Sequence, residues 1–135
     1  GDNTESLLLA AGLNEIQVFG QAMGSTYPET FTSIAGVGDL DVTCRSRYGR
    51  NRRFGREIIT ARILEQFESL DDLIEHIEKV GYLPEGVMAV KYMHQLSHNQ
   101  SLKLPISQAV YRILNRERIP AEAIRDLVRH LTIRR

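Results

Sequence analysis

The side chains that could do chemistry are concentrated in one short region, residues 39–56. Carboxylate, hydroxyl and thiol groups come first, followed by arginines and one asparagine: Asp39, Asp41, Thr43, Cys44, Arg45, Arg47, Arg50, Asn51, Arg52, Arg53 and Arg56. Guanidinium groups donate paired hydrogen bonds to phosphate, and the first N–H groups of a helix also attract anions. Because Phe54 and Ile58 predict a helix that begins near Asn51, the sequence predicts a phosphate site in an irregular turn before that helix.

Two other interpretations of these arginines stay open at the level of composition. They could form a solvated basic face with surface salt bridges, or they could bind nucleic acid. The second is weakened because the only aromatic residues among the arginines are Tyr48 and Phe54, and because the formal net charge of the chain is zero.

Other candidate sites are weaker. His94 and His98 are spaced to share a helix face, but there is no HExxH pattern and no third ligand nearby in sequence, so we expect no metal site. Cys44 has no neighbouring histidine to act as its base, which favours a small, partly buried residue over a nucleophile. No GxGxxG fingerprint follows a strand, so the chain offers no such nicotinamide-cofactor site.

The elements that position these residues are all predicted to be helices. Apolar residues at steps of three and four begin after Thr4 and include Leu9, Leu13, Ile16, Phe19 and Met23, with Gly24 expected to end the helix. Similar stripes run through Phe54 and Ile58, follow Ser69 up to Gly81, and follow Pro84, Pro105 and Pro120. No segment alternates as a strand does. The sequence therefore predicts an all-α fold, as one domain over residues 1–135.

Composition limits the class of protein further. The chain has 135 residues, of which 42% are hydrophobic and 25% charged, values typical of a globular domain. A single cysteine suits a reducing compartment, and the sequence has no signal peptide or membrane-length apolar run. We therefore expect a cytoplasmic protein that does not bind membranes. Since Gly1 is not an initiator Met, we also expect the chain to come from a longer or processed protein.

Several motifs together resemble a known family. Gly1-Asp2-Asn3-Thr4, Gly38-Asp39-Leu40, Val42-Thr43-Cys44 and Arg50-Asn51-Arg52-Arg53-Phe54-Gly55 are similar, in order and spacing, to the C-terminal domain of NAD(P)-dependent glycerol-3-phosphate dehydrogenase. Glu85-Gly86-Val87 and Leu104-Pro105-Ile106 resemble its later motifs, so the similarity covers nearly the whole chain. The fold that this implies is the compact multi-helix domain found in glycerol-3-phosphate and 6-phosphogluconate dehydrogenases.

The resemblance implies reversible hydride transfer between NAD(P)H and dihydroxyacetone phosphate, giving sn-glycerol 3-phosphate for phospholipid synthesis. It assigns Asp39 and Thr43 to the catalytic site around the reacting carbonyl, Arg50 and Asn51 to the substrate phosphate, and Arg50 and Glu85 to the cofactor. In the family, NAD or NADP is held by an N-terminal Rossmann domain, and the general acid is a lysine upstream of the Gly1-Asp2-Asn3-Thr4 motif. The family also suggests a homodimer.

This assignment leads to an expectation about the chain as given. Lacking the Rossmann domain and the lysine, it should bind no cofactor, catalyse nothing alone, and expose an apolar patch where the cofactor domain packs. Asp41 and the stretch from Ile59 to Ser69 depart from the common family pattern. The alternative hypothesis is a free-standing helical module that binds nucleic acid or an acidic protein through its arginines.

Overall fold

The computed structural model describes residues 1–26 and 44–133 of the chain. These residues form six α-helices and contain no strand: α1 (Asp2–Thr26), α2 (Cys44–Thr60), α3 (Leu70–Glu75), α4 (Glu85–Gln100), α5 (Pro105–Leu114) and α6 (Pro120–Ile133). Two short 3₁₀ helices, Ile63–Gln66 and Ile77–Val80, flank α3. The predicted all-α fold is confirmed.

Several helix ends lie where the sequence places them. Helices α5 and α6 begin at Pro105 and Pro120, since proline fits the first turn, where its missing N–H is not needed. The Ser69 hydroxyl accepts the backbone N–H of Asp72 at 3.0 Å and so caps α3. Gly81 ends the following 3₁₀ helix with a φ of 93°, a left-handed conformation that glycine adopts without strain.

Two predicted helix ends are wrong. Helix α1 continues past Gly24 to Thr26, because a single glycine lowers helix stability without forbidding the helix. Helix α2 begins at Cys44 and not near Asn51, so residues 44–51 are helical and not an irregular turn. Arginine has a high helix propensity, and apolar periodicity alone could not detect this polar first half of the helix.

The core lies where α1, α2 and α4 meet, with α5 and α6 packed against them. Buried side chains include Leu9, Leu13, Phe54, Ile58, Val87, Val90 and Met93. Helices α1 and α2 touch backbone to backbone at Gly55: a Cβ added there would lie 3.0 Å from the amide nitrogen of Ala10 and 3.1 Å from the carbonyl oxygen of Ser6. This close approach aligns the next turns of both helices, which carry the polar residues described below.

The apolar stripes predict burial correctly in the middle of the domain and incorrectly at its edges. All four predicted α4 positions are buried: Val87, Val90, Met93 and Leu96. Phe19 in α1 is 46% exposed, however, and Val128 and Leu131 in α6 are similarly exposed. The turn that carries Phe19 does pack on α4 through Gly20, so the exposure of Phe19 reflects the side of α1 on which it lies.

The stretch from Ile59 to Ser69, which departs from the family pattern, folds compactly. Helix α2 ends at Thr60, Arg62 adopts a left-handed φ of 50°, and Leu64 and Phe67 return to the core. No helix among the described residues is both long and apolar enough to cross a membrane.

Candidate functional site

Three of the residues singled out in the sequence meet in one place. Helix α2 contributes Arg50 and Asn51, and Glu85 begins α4; their side chains form one hydrogen-bonded cluster with Gln17 of α1. The hydrogen-bonded residues lie 34 or more positions apart along the chain, so the cluster depends on how the helices pack. The other two candidates, Asp39 and Thr43, lie outside the described residues.

Asn51 is fully buried, with 0% of its surface exposed, and both ends of its side-chain amide have partners. Its Oδ1 accepts the backbone N–H of Gly86 at 3.0 Å, and its Nδ2 donates to Oε1 of Gln17. The Gly86 N–H belongs to the first turn of α4, where backbone donors have no partner within the helix, and Pro84 at the N-cap supplies no side-chain bond. Asn51 therefore caps α4 from a different helix.

Gln17 links the two halves of the cluster. Its Nε2 donates to Oε2 of Glu85 at 3.0 Å, while its Oε1 accepts from Asn51. The direction of each bond is fixed from both ends: the Gly86 N–H can only donate, and an ionised Glu85 carboxylate can only accept. Each amide therefore has a single orientation that satisfies every bond.

Arg50 and Glu85 form an ion pair in which the two partners differ in exposure. Nη2 of Arg50 donates to Oε1 of Glu85, whose side chain is 4% exposed, whereas 29% of the Arg50 side chain is exposed. The carboxylate is thus held inside the domain and fixes one edge of a guanidinium that reaches the surface. The Nε of Arg50 is buried and has no partner among the described residues. A planar, anchored guanidinium with donors to spare is suited to an oxyanion ligand.

Because α2 begins at Cys44, the backbone N–H groups near Asn51 cannot form the phosphate site that the sequence predicts there. Seven residues of α2 precede Asn51, so its backbone N–H lies in the helix interior, where it bonds to the preceding turn and not to a ligand. The predicted anion site at the start of this helix is therefore wrong for Asn51. Any anion bound here would contact side chains, and the guanidinium of Arg50 is the group that reaches the surface, whereas Asn51 is fully buried.

The comparison with known proteins gives the family. Residues 1–125 match the family described as NAD-dependent glycerol-3-phosphate dehydrogenase C-terminus. This chain belongs to that dehydrogenase family. It is 68% identical over 128 residues to the glycerol-3-phosphate dehydrogenase (NAD(P)+) of Treponema denticola, covering 95% of this chain and 36% of that relative. The family assignment made from the sequence is confirmed.

Other relatives carry the same name. The Treponema pallidum (strain Nichols) glycerol-3-phosphate dehydrogenase is 60% identical over 118 residues, covering 87% of this chain and 33% of the relative. A glycerol-3-phosphate dehydrogenase of Salinibacter ruber is 36% identical over 128 residues, covering 95% and 35% respectively. The chain thus spans about a third of the length of these curated relatives. No solved structure gave a significant match.

Within this dehydrogenase domain, Arg53 lies in a surface salt bridge. Its Nε donates to Glu57 at 2.7 Å, and its guanidinium lies 4.2 Å from the centre of the Tyr82 ring. The Tyr82 hydroxyl also donates to Glu57, at 2.9 Å, and burial together with this bond raises the pKa of Tyr82 well above its usual value. The salt-bridge interpretation is thus correct for Arg53, and Arg50 is the arginine whose carboxylate partner is buried.

The two histidines of α4 differ in what the structure shows of their surroundings. His94 stacks on Tyr111 of α5, with ring centres 3.5 Å apart and planes within 2°, and burial lowers the pKa of His94. The described residues include no group of three or more potential ligands that could hold a metal ion. The side chain of Cys44 lies outside the described residues.

Sequence reasoning missed Gln17 and Gly86 as parts of the site. Gln17 follows Leu9 and Leu13 at steps of four, so it is a polar residue on the buried face of α1, and it is indeed 4% exposed. A buried polar side chain needs hydrogen-bond partners, and this is the signal that could have identified Gln17. Gly86 is required because a Cβ there would lie 2.9 Å from Oδ1 of Asn51 and 3.0 Å from the carbonyl oxygen of Leu13.

Proposed function

We propose that this chain is the substrate-binding part of an enzyme that reduces dihydroxyacetone phosphate to sn-glycerol 3-phosphate with NADH or NADPH. The observation that supports this most directly is the Arg50 guanidinium, which is anchored on one edge by buried Glu85 and whose Nε has no partner in the part of the chain that the structure describes. The family assignment favours this enzyme over the alternative of a free-standing module that binds nucleic acid or an acidic protein.

In this proposal Arg50 binds the substrate phosphate through paired, charge-assisted hydrogen bonds. Asn51 is fully buried in the cluster, so its remaining amide N–H reaches the phosphate only when the surrounding side chains move apart on binding. Glu85 holds the guanidinium in place, so less side-chain freedom is lost when the phosphate binds.

Chemistry at the carbonyl requires charge stabilisation, because the oxygen becomes negative as hydride reaches the carbon. We assign Asp39 and Thr43 to this part of the site. The lysine that the family places upstream of Gly1 donates the proton to that oxygen, and Asp39 orients and tunes this lysine. Two electrons and one hydrogen arrive as hydride, and the lysine supplies the second hydrogen as a proton.

The nicotinamide cofactor, when bound, supplies the hydride. Among the described residues, Arg50 has donors that fit the phosphate or ribose oxygens of such a cofactor, and the unpaired Nε is one of them. Both Glu85 oxygens face protein donors, so we assign Glu85 to the cofactor side of the site through its hold on Arg50. An N-terminal Rossmann domain of the same polypeptide would bind the rest of the cofactor.

A cytoplasmic location and a homodimer also stay predictions.

The test compares Arg50 variants of the full-length enzyme on two substrates. Arg50→Ala should reduce kcat/KM for dihydroxyacetone phosphate by about 30- to 1000-fold, or about 2 to 4 kcal/mol, because it removes a charged, paired hydrogen bond. Arg50→Lys should restore part of this loss, since lysine keeps the positive charge opposite Glu85 but lacks the planar guanidinium that donates two parallel hydrogen bonds. The rate with unphosphorylated dihydroxyacetone should barely change.

The matched control is Arg52→Ala. Arg52 is a neighbour in the same helix, and its side chain is exposed. Loss of an exposed arginine should cost under about 1 kcal/mol. Equal losses by Arg50→Ala on both substrates would mean that Arg50 supports the fold or the cofactor instead of the phosphate, and the phosphate assignment would then be wrong.

A further inference from the structure

We propose that Gln17 is a positioning residue for the phosphate-binding arginine, acting through Glu85. This inference rests on the proposed function of Arg50 and extends it to a residue that touches no substrate. It follows from the way in which one side-chain amide joins Glu85 of α4 to Asn51 of α2.

The first step of the argument concerns the Glu85 carboxylate. Gln17 donates to Oε2 and Arg50 donates to Oε1, so the two donors share the carboxylate between them. The hydrogen bond from Gln17 therefore restricts, from the α1 side, the rotation of this group about its terminal bond. When Oε2 is held by Gln17, Oε1 points toward the guanidinium.

The second step concerns Asn51. The same Gln17 side chain accepts an N–H from Nδ2 of Asn51, so the amide of Asn51 is held with its oxygen toward Gly86. Because Arg50 and Asn51 are consecutive in α2, a shift of either partner of Gln17 moves both phosphate-binding groups. Gln17 thus couples the orientation of Glu85 to that of Asn51.

The third step is that Gln17 performs this role without contacting solvent. It is 4% exposed, and the charged groups of the cluster are Arg50 and Glu85. A methionine would fill a similar volume without making either hydrogen bond. The Glu85 carboxylate would then lose the Gln17 donor at Oε2, and the guanidinium that it holds would be less well placed for the phosphate.

The experiment measures the preference for dihydroxyacetone phosphate over dihydroxyacetone, as the ratio of the two kcat/KM values, in the full-length enzyme. Gln17→Met should lower this ratio by about tenfold, mainly through a higher KM for the phosphorylated substrate. The matched control is Gln108→Met on the exposed face of α5, which should leave the ratio unchanged. A merely structural role would lower both kcat/KM values together and leave the ratio as it was.

A second variant keeps the test informative if Gln17→Met does not fold. Gln17→Glu keeps the oxygen that accepts from Asn51 but places a second carboxylate against Glu85. The two carboxylates repel each other, so the Glu85 carboxylate should turn away from the Arg50 guanidinium and the ratio should fall by about tenfold or more. A ratio for Gln17→Glu equal to that of the unmodified enzyme would overturn the positioning role.

The outcomes for the two proposals can be told apart with Arg50→Ala in the same assay. If Arg50→Ala removes the preference and Gln17→Met retains it, the positioning proposal fails and the phosphate site stands. If Arg50→Ala retains the preference, or the unmodified enzyme has none, the proposed function fails and the role of Gln17 fails with it.

Discussion

The side-chain oxygen of Asn51 accepts the backbone N–H of Gly86 at 3.0 Å, so a residue of α2 caps the first turn of α4. The two residues are 35 positions apart, and both are buried. Asn51 immediately follows Arg50, and Gly86 immediately follows Glu85, so this uncharged bond lies directly beside the Arg50–Glu85 ion pair. One hydrogen bond therefore sets both the start of α4 and the spacing across the candidate phosphate site.

The close contact at Gly86 gives a prediction about stability. Gly86→Ala should lower the free energy of unfolding by about 1 to 3 kcal/mol, because its Cβ would lie 2.9 Å from Oδ1 of Asn51 and 3.0 Å from a backbone oxygen. The matched control is Gly49→Ala in α2, where no atom lies within 4 Å of an added Cβ. This control should raise stability by about 0.5 to 1 kcal/mol, because alanine is the better helix former. Urea-induced unfolding followed by circular dichroism measures both; equal effects would contradict the predicted clash.

His94 gives a prediction about pH. Burial lowers its pKa below the ordinary value of 6.5, so the folded protein favours the neutral ring. As pH falls through 6.5, His94 takes up a proton in the unfolded chain before it does so in the folded protein. The free energy of unfolding should therefore decrease as pH falls from 6.5 to the pKa of His94 in the folded protein. His94→Phe retains an aromatic ring against Tyr111 and should remove this part of the pH dependence. Urea unfolding at a series of pH values and NMR titration of the His94 ring check it; a ring pKa at or above 6.5 would refute the prediction.

The exposed side of α1 gives a prediction about association. Leu8 and Phe19 are eleven residues apart, about three helical turns, so they lie on the same side of α1, and both are more than 40% exposed. Leu7 and Val18 repeat this spacing beside them, and Phe19 also borders a groove of about 240 Å³ next to Met93. These exposed side chains fit the apolar patch that the sequence predicts, and the packing of the rest of the polypeptide on it stays a prediction.

The 135-residue chain should therefore self-associate as its concentration rises, and Phe19→Glu should reduce this association. Ile119→Glu is the control, because Ile119 is 61% exposed and lies just before α6, near Asp2 and Glu5 in the first turn of α1 and not beside Phe19. Sedimentation velocity distinguishes the variants, and the full-length enzyme should associate less through this side. If both substitutions reduced association equally, general surface hydrophobicity and not the α1 patch would be responsible.

The sequence by itself determined the helical fold, most helix starts and the family. Prolines at 105 and 120 and the serine cap at 69 act within one turn of the chain, so their effects can be predicted without knowledge of distant residues. The family motifs also identified Arg50, Asn51 and Glu85 as candidates. Periodicity failed for the first half of α2, because its polar residues leave no apolar stripe even though arginine favours a helix.

Only the tertiary structure shows which of these candidate residues bond to one another. Nothing local shows that Asn51 caps another helix, that Glu85 anchors Arg50, or that Gln17 links them, because each bond joins residues far apart in the chain. The tertiary structure also determines that Phe19 is exposed, although Phe19 continues the apolar stripe of Leu9 and Leu13. A helical period shows which residues share a side, but burial and hydrogen bonding depend on which helix packs against that side, and packing is a property of the whole fold.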